Sequence, residues 1–454
     1  MAGERALNVA ELIEGKLARP QIMIAVYLCT LMFLEGYDMQ TLSFAAPAIL
    51  REWGVSRAEF GPILSSHLLG YLAGALLLTF LGDRLGRKNV IIAGCGIFSL
   101  FTFCAGLAST PAELAFWRIG AGFGLGGSIP TGIALAAEYM PKHIRATTIG
   151  LMFVGYNLGA AAGGFIAAGT IETYGWQSVF FIGGLAALPM LILLVLTLPE
   201  SVRFLIVSGA PTHRIAAIVQ RLRPGLDLSG VTHYLAGEEH RKVAMGSLLQ
   251  DGRAPMTLLL WFAMIASFVG HYVITGWMPT ILADDGMTIA DANNAMGFFQ
   301  MGGAIGSLLI AVLLDRVGIR IVALTFALAT PATILLGINL GYGFLVPNML
   351  IAGVAVLGGQ IGLNALCGTI YPTYMRATGA GWALGVGRLG AMSGPVIGGY
   401  MLEVGFMRPS VLLLTSIPFL FCAAALLGLT SAKRASDARN AEGEASIRAS
   451  GFAH

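Results

Sequence analysis

The sequence predicts an all-α integral membrane protein in which twelve transmembrane helices form two pseudo-symmetric six-helix bundles. Only 11% of the 454 residues are charged, against about 25% in soluble proteins, so a soluble enzyme or a nucleic-acid binder is excluded. Apolar runs of about 20 residues separate the charges, and that length crosses a bilayer as a helix. Short motifs in the first half of the chain also recur in the second half, 231 or 232 residues later.

Hydropathy places the twelve spans, and the basic residues orient them. Of the 27 Lys and Arg, 22 fall in the N-terminal tail, the even-numbered loops and the C-terminal tail or within two residues of these loops, whereas only Arg51, Arg57 and Arg408 fall in odd-numbered loops. Basic loops remain in the cytoplasm, so both termini are expected on the cytoplasmic side of the inner (cell) membrane. The predicted spans are 21–50, 59–81, 88–108, 112–139, 145–169, 176–198, 257–283, 289–314, 319–340, 344–371, 377–403 and 409–431.

These spans divide the chain into five regions. The only long polar segment lies between the sixth and seventh spans, and we expect it to be a linker with one or two surface helices. The last residues are small, polar and charged, and we expect them to lack regular structure. The regions are a cytoplasmic N-terminal tail (1–20), an N-terminal six-helix bundle (21–198), a cytoplasmic linker (199–256), a C-terminal six-helix bundle (257–431) and a cytoplasmic C-terminal tail (432–454).

An internal repeat relates the two bundles. The segment Gly82–Gly86 after the second span recurs as Asp315–Gly318 after the eighth, with an offset of 232 between the aspartates. The segment Arg145–Thr147 before the fifth span recurs as Arg376–Thr378 before the eleventh, with an offset of 231. Two six-span halves related in this way are typical of transporters that alternate around a central site.

The loop Gly82–Lys88 is the most specific short motif. Its glycines hold a carboxylate and several cations in a tight turn, where ion pairs that break and re-form would make a gate. Ordinary positive charge at a cytoplasmic loop is the alternative, and the copy at Asp315 favours the gate. The motif and its copy resemble the signature of the major facilitator superfamily, which implies the major facilitator fold. The residues expected to act in gating are Asp83, Arg84, Arg87, Glu138, Arg145, Asp315, Arg316 and Arg376.

Two acids and one arginine lie inside predicted spans. Glu35 and Asp38 share a helix face because they are three residues apart. A charge in the bilayer core costs roughly 2.5–3.5 kcal/mol, which favours a proton site in a polar cavity over a structural ion pair. Arg118 in the fourth span is expected to pair with Glu35 or Asp38, and snorkelling to the membrane surface is the alternative. His67 and His271 are interpreted as hydrogen-bonded packing residues, and a proton relay is the alternative for each.

Arg388 lies deep in the eleventh span, where the first half carries Asn157. Its guanidinium offers a fork that matches a carboxylate, so we expect it to bind an anionic substrate. The alternative partner, Glu403, lies about four turns away on the same helix. Aromatic residues are expected to line the site, although Trp277 equally suits the membrane interface. These aromatic residues are Tyr272, Trp277, Tyr371 and Trp382.

Several stretches resemble one branch of the superfamily, the aromatic acid:proton symporters. They are Glu35–Gln40, Gly124–Pro130 and, most specifically, Tyr371–Pro395. The resemblance covers essentially all twelve spans and implies import of benzoate, hydroxybenzoates, protocatechuate or phenylpropionates with protons, for aromatic hydrocarbon catabolism. It also implies transport roles for Glu35, Asp38, Arg118 and Arg388.

Other functions fit the residues less well. A transporter of another organic anion, or a drug/proton antiporter of the same superfamily, is the main alternative. Antiporters typically carry a proline in the fifth-span motif where this chain has Ala160. An enzyme would need a nucleophile with a base or a cluster of metal ligands, and the sequence has neither pattern. We expect a monomeric transporter without cofactor, metal or nucleic acid, whose partners are an aromatic acid, protons and the lipid bilayer.

Overall fold

The computed structural model describes residues 5–15, 17–235 and 244–451, without the side chains of residues 5, 10, 232, 315, 373 and 434–451. Twelve long helices run through these residues, and eleven of them are apolar enough to cross a membrane. The one remaining long helix spans 28 residues and contains Arg388. The long helices are α2 (Arg19–Trp53), α3 (Arg57–Leu85), α4 (Arg87–Ala105), α5 (Pro111–Tyr139), α6 (Lys142–Tyr174), α7 (Gln177–Thr197), α10 (Ala254–Asp284), α11 (Ile289–Val317), α12 (Ile319–Leu336), α13 (Tyr342–Cys367), α14 (Arg376–Glu403) and α15 (Arg408–Gly451).

Short elements occupy the N-terminal tail and the linker. The surface helices expected in the linker are α8 (Val202–Val207) and α9 (Thr212–Leu222), and α1 (Val9–Ile13) precedes the first long helix. A parallel sheet of β1 (Arg5–Asn8) with β2 (Val231–Leu235) was not predicted. Pairing between segments so far apart in the chain leaves no local pattern in the sequence.

The C-terminal tail differs from the expectation. Instead of losing regular structure, α15 continues without a break as far as Gly451. The tail contains many alanines together with arginine, lysine and glutamate, and these residues favour helix formation. Helix propensity therefore explains the extension, although the tail is too polar to belong to a membrane span.

The chain forms two compact units, each described by itself. Of the described residues, the first contains those up to 235 with Pro279–Gly297, and the second contains 244–278 with 298–451. In the first unit, α3 packs on α5, α2 on α6, and α4 on both α5 and α7. In the second unit, α12 packs on α13 and α15.

Apolar side chains cover the outer faces of the helices. Leu76 and Leu196, for example, are 67% and 74% exposed, whereas the polar Thr102 and Ser128 are fully buried. Exposed apolar surface of this extent suits contact with lipid rather than water. The chain is a multi-pass membrane protein.

The internal repeat is present in the helix boundaries. Helices α3 and α11 each contain 29 residues, and they begin at Arg57 and Ile289, 232 positions apart. Gly86 and Gly318 then make the tight turns into α4 and α12 with φ values of 97° and 70°, which suit glycine because it has no Cβ.

The repeat also preserves a close contact inside each unit. A Cβ at Gly159 of α6 would lie 1.8 Å from the carbonyl oxygen of Phe33 in α2. A Cβ at Gly390 of α14 would lie 2.4 Å from the carbonyl oxygen of Ile265 in α10. These partners are related by offsets of 231 and 232. Small residues therefore allow the two equivalent pairs of helices, α2 with α6 and α10 with α14, to approach closely.

Candidate functional site

Four helices of the first unit contribute side chains to a buried group around Asp38. Arg118 on α5 donates from Nη1 to Asp38 Oδ1 at 2.8 Å and from Nη2 to the Asp38 carbonyl oxygen at 2.9 Å. Thr102 on α4 donates to the same Oδ1 at 2.8 Å. His67 on α3 has its Nδ1 3.6 Å from Oδ2. We call Asp38, His67, Thr102 and Arg118 the Asp38 cluster.

The ion pair expected for Arg118 is present, and its acid is Asp38. Both side chains are 0% exposed, so water does not screen the pair. In such surroundings removal of one partner leaves an uncompensated buried charge. Glu35 lies one helical turn before Asp38 on α2 and is 4% exposed. The first unit therefore holds two carboxylates and one guanidinium in a buried part of a membrane span.

Glycines bring the helices close enough to form this cluster. A Cβ at Gly122 of α5 would lie 2.1 Å from the carbonyl oxygen of His67, and a Cβ at Gly70 of α3 would lie 1.9 Å from that of Ile119. No side chain fits at these distances, so glycine permits the close approach of α3 and α5. The glycine-rich sequence after Arg118 thus sets the position of its helix.

In the second unit, Arg388 lies near a group of aromatic rings. Arg388 is half-buried on α14, and a Cβ at the preceding Gly387 would lie 2.8 Å from the Phe268 ring of α10. The His271 ring stacks on Tyr272 with centroids 4.8 Å apart and planes at 19°, and Phe268 lies 5.9 Å from Tyr272. This arrangement combines a cation for a carboxylate with flat surfaces for a ring. Of the four predicted ring contacts, Tyr272 is the one placed in this group.

The other three predicted ring residues occupy separate places. The fully buried Trp277 donates from Nε1 to the carbonyl oxygen of Pro395 at 2.7 Å, about 10 Å along α14 from Arg388. Tyr371 is buried before α14 begins and donates to Thr257 at 3.2 Å. Trp382 is 42% exposed. In these positions Trp277 and Tyr371 make packing contacts, and Trp382 lies on an outer face.

A second polar cluster lies at the Leu85 end of α3, where gating residues were predicted. Arg87 contacts Asp83 at 3.3 Å and Glu138 of α5 at 3.3 Å. Glu138 also accepts from the hydroxyl of Ser201, and Glu200 accepts from the backbone N–H of Lys88 at 3.1 Å. The roles of Glu200 and Ser201 were missed, although an acid directly after the sixth span was a visible signal. We call Asp83, Arg87, Glu138, Glu200 and Ser201 the Glu138 cluster.

The remaining predicted gating residues lie outside this cluster. Arg84 lies over the Phe80 ring at 4.6 Å, and Arg145 donates to the carbonyl oxygen of Met140 at 3.3 Å. Arg316 and Arg376 are exposed. The side chain of Asp315 lies outside the described residues.

A further ion pair lies at the opposite end of α3. Arg57 contacts Asp284, the last residue of α10, at 2.7 Å, and both side chains are about 40% exposed. Since α3 spans 29 residues, this pair and the Glu138 cluster are about 40 Å apart. Arg57 was expected in an odd-numbered loop, and its partner Asp284 was not predicted.

The chain matches the family model described as Major Facilitator Superfamily over residues 28–220 and 260–453. It is 36% identical to the gallate transporter of Pseudomonas putida over 426 residues, which are 93% of this chain and 94% of that protein. It is 35% identical to the 4-hydroxybenzoate transporter PcaK of Acinetobacter baylyi, covering 89% of this chain and 90% of that one. It is 33% identical to the 3-(3-hydroxy-phenyl)propionate transporter of Escherichia coli, and the match covers 85% of this chain and 88% of that protein.

Solved structures with the same fold are more distant in sequence. The xylose transporter XylE from E. coli superposes with a TM-score of 0.69 at 17% identity, covering 89% of this chain and 96% of that one. A bacterial homologue of the human lysosomal transporter Spinster superposes with a TM-score of 0.66 at 18% identity, covering 93% and 97%.

Proposed function

The chain belongs to the Major Facilitator Superfamily, as a membrane transporter and not an enzyme, and from this premise we propose that it imports an aromatic carboxylate together with protons. The proposal includes an inner-membrane location with both termini in the cytoplasm. The observation that carries it is the full-length likeness, at 33–36% identity, to transporters of gallate, 4-hydroxybenzoate and hydroxyphenylpropionate. These compounds share a ring and a carboxylate.

The Asp38 cluster supports the proton-coupled part of the proposal. In the charged state Arg118 connects α5 to both the side chain and the backbone of Asp38 on α2. A proton on the Asp38 carboxylate removes the charge that Arg118 neutralises and weakens this connection. Proton binding would therefore loosen α5 from α2, and proton release would restore the ion pair. A buried acid with these properties can couple a proton to a conformational change.

The arrangement around Arg388 supports the substrate class. A carboxylate can accept a bidentate pair of hydrogen bonds from the guanidinium, and the ring can contact the Tyr272–His271 stack. Uncharged analogues would lack the first interaction, and aliphatic acids would lack the second. Both contacts together favour an aromatic carboxylate over other organic anions.

The experiment that tests the substrate class is uptake by the reconstituted protein of a panel of labelled acids under an inward proton gradient. Gallate, 4-hydroxybenzoate, benzoate and 3-(3-hydroxyphenyl)propionate are expected to include the preferred substrate. Cyclohexanecarboxylate serves as the matched acid without an aromatic ring. Equal uptake of the cyclohexane acid and the best aromatic acid would contradict the proposal.

Glu35 is proposed to assist proton binding next to Asp38. Glu35→Asp keeps a titratable group, so it is expected to retain part of the gradient-driven uptake. Glu35→Gln is expected to reduce that uptake to near background, because it removes the carboxylate and keeps the shape. Initial uptake rates at matched protein amounts in proteoliposomes check this order. Equal rates for the two variants would remove the carboxylate of Glu35 from the coupling step.

The Glu138 cluster is proposed to stabilise one transport conformation at the cytoplasmic side. Arg87→Ala removes both ion pairs of Arg87, so transport is expected to fall severalfold while substrate affinity stays near the wild-type value. Calorimetric binding in detergent and uptake in proteoliposomes measure these two quantities. Arg214→Ala is the control, since Arg214 is an exposed cation on the surface helix α9. A loss of affinity in folded Arg87→Ala protein would instead connect this cluster to the substrate site.

A further inference from the structure

We propose that His67 is a second proton-binding residue of the transporter, sharing the transported proton with Asp38. On proton uptake an N–H bond forms at Nδ1 of His67, and on release this bond breaks and the proton leaves to water or to Asp38. The inference rests on the proposed proton coupling, and it favours the proton role of His67 over the packing role expected from the sequence.

The geometry leaves one Asp38 oxygen directed at His67. Oδ1 accepts from Arg118 and from Thr102, each at 2.8 Å. Oδ2 lies 3.6 Å from His67 Nδ1, which is longer than a hydrogen bond and short enough for an ion pair. A proton on Nδ1 would therefore be placed opposite the carboxylate oxygen that these two donors do not occupy.

The charges next to His67 favour a proton on its ring. Asp38 from α2 faces His67, Arg118 from α5 pairs with Asp38, and Glu35 lies one turn from Asp38 on α2. Arg118 donates to Asp38 Oδ1, and a proton on His67 would place a second positive charge opposite Oδ2. An opposite charge at this distance favours the protonated imidazole.

The internal repeat shows which residue packs at the position equivalent to His67 in the second unit. A Cβ at Gly353 of α13 would lie 1.9 Å from the carbonyl oxygen of Phe299 in α11, just as a Cβ at Gly122 would lie 2.1 Å from that of His67. His67 therefore corresponds to Phe299, which is also fully buried. On the same offsets of 232 and 231, Asp38 corresponds to Gly270 and Arg118 to Met349.

The second unit thus forms the equivalent helix contact without an ionisable group. A phenyl ring is sufficient for packing at this position, so packing alone does not require an imidazole in the first unit. The imidazole occurs together with Asp38 and Arg118, and all three are absent from the equivalent positions. This joint occurrence assigns His67 to the ionisable cluster rather than to the helix contact.

Two substitutions test the proposal in the full-length protein in liposomes. His67→Phe introduces the residue that the repeat uses at this contact. His67→Asn keeps an amide near the position of Nδ1 but cannot bind a proton at neutral pH. Ser66→Ala is the matched control, because Ser66 is a buried neighbour whose hydroxyl donates within its own helix to the carbonyl oxygen of Ile63 at 2.6 Å.

Two measurements are made with labelled gallate or 4-hydroxybenzoate, whichever the wild type carries. The first is accumulation under an imposed inward proton gradient. The second is exchange between equal internal and external pools, measured from about pH 5 to pH 8, where imidazole titrates. Both His67 variants are expected to lose accumulation to a much greater extent than exchange, and the pH dependence of their exchange is expected to flatten. Ser66→Ala is expected to match the wild type.

Wild-type accumulation together with the wild-type pH profile of exchange, in either folded variant, would overturn the proposal. An equal loss of accumulation and exchange would also overturn it. If neither variant folds, the proposal is tested with Asp38→Asn, which retains His67. Its exchange is expected to keep a pH-dependent phase, and a flat profile would overturn the proposal. Absence of gradient-driven accumulation in the wild type would instead reject the proposed proton coupling itself, so the two failures are distinguishable.

Discussion

Asp38→Asn is expected to abolish accumulation of the aromatic acid under a proton gradient. The amide keeps the shape of the side chain but cannot cycle between charged and neutral states. It also leaves Arg118 in a buried site without its counter-charge, and breaking a buried ion pair in this way costs about 3–5 kcal/mol. Uptake in proteoliposomes and thermal unfolding in detergent measure the two effects separately.

A double substitution distinguishes coupling from stability. Asp38→Asn combined with Arg118→Gln removes both charges, so thermal stability is expected to recover a large part of the loss. Accumulation is expected to remain absent, because neither residue then carries the transported charge. Wild-type accumulation in the Asp38→Asn single variant would show that the proton binds elsewhere.

Arg388→Lys is expected to weaken binding of the substrate about 10- to 100-fold. Lysine keeps the positive charge but loses the planar pair of donors, and a hydrogen bond to a charged group contributes about 1.5–3 kcal/mol. Calorimetric titration of the purified protein measures the change in dissociation constant. Uptake at saturating substrate is expected to be affected less than affinity.

The control for this variant is Arg320→Lys, an exchange of the same type at an exposed position on α12. It is expected to bind as the wild type does. A matching change in the ligand is to replace the carboxylate with an amide, which is expected to compete poorly against the acid. Equal competition by the amide, or normal binding by Arg388→Lys, would show that another group binds the carboxylate.

The sequence predicted the fold class, the repeat and the ion pair of Arg118 with an acid of the first span. These features depend on hydropathy, on motif spacing and on the cost of a charge in a membrane, all of which are local in the chain. The choice of Asp38 over Glu35 was not predictable. It depends on the rotation of α2 about its own axis, which is fixed by packing such as the contact of Gly36 with Tyr156 of α6.

Contacts between distant helices were harder to predict. Thr102 and His67 reach Asp38 because the glycines of α3 and α5 permit close approach, and sequence alone does not show which face of each helix turns inward. For the same reason Trp277 was expected near the substrate, whereas its indole N–H is bonded to the backbone of Pro395. The sheet of β1 with β2 joins segments more than 220 residues apart, and neither segment carries a pattern that identifies the other.

The most direct test of proton-coupled import is a measurement of proton movement driven by substrate alone. Proteoliposomes with a pH-sensitive dye inside are prepared without a pH gradient or a membrane potential, and the aromatic acid is then added outside. Impermeant buffer and protein-free liposomes control for passive entry of the neutral acid. The proposal predicts that wild-type protein acidifies the interior faster than protein-free liposomes and that Asp38→Asn does not. Uptake of labelled substrate by the wild type without this additional acidification would contradict it.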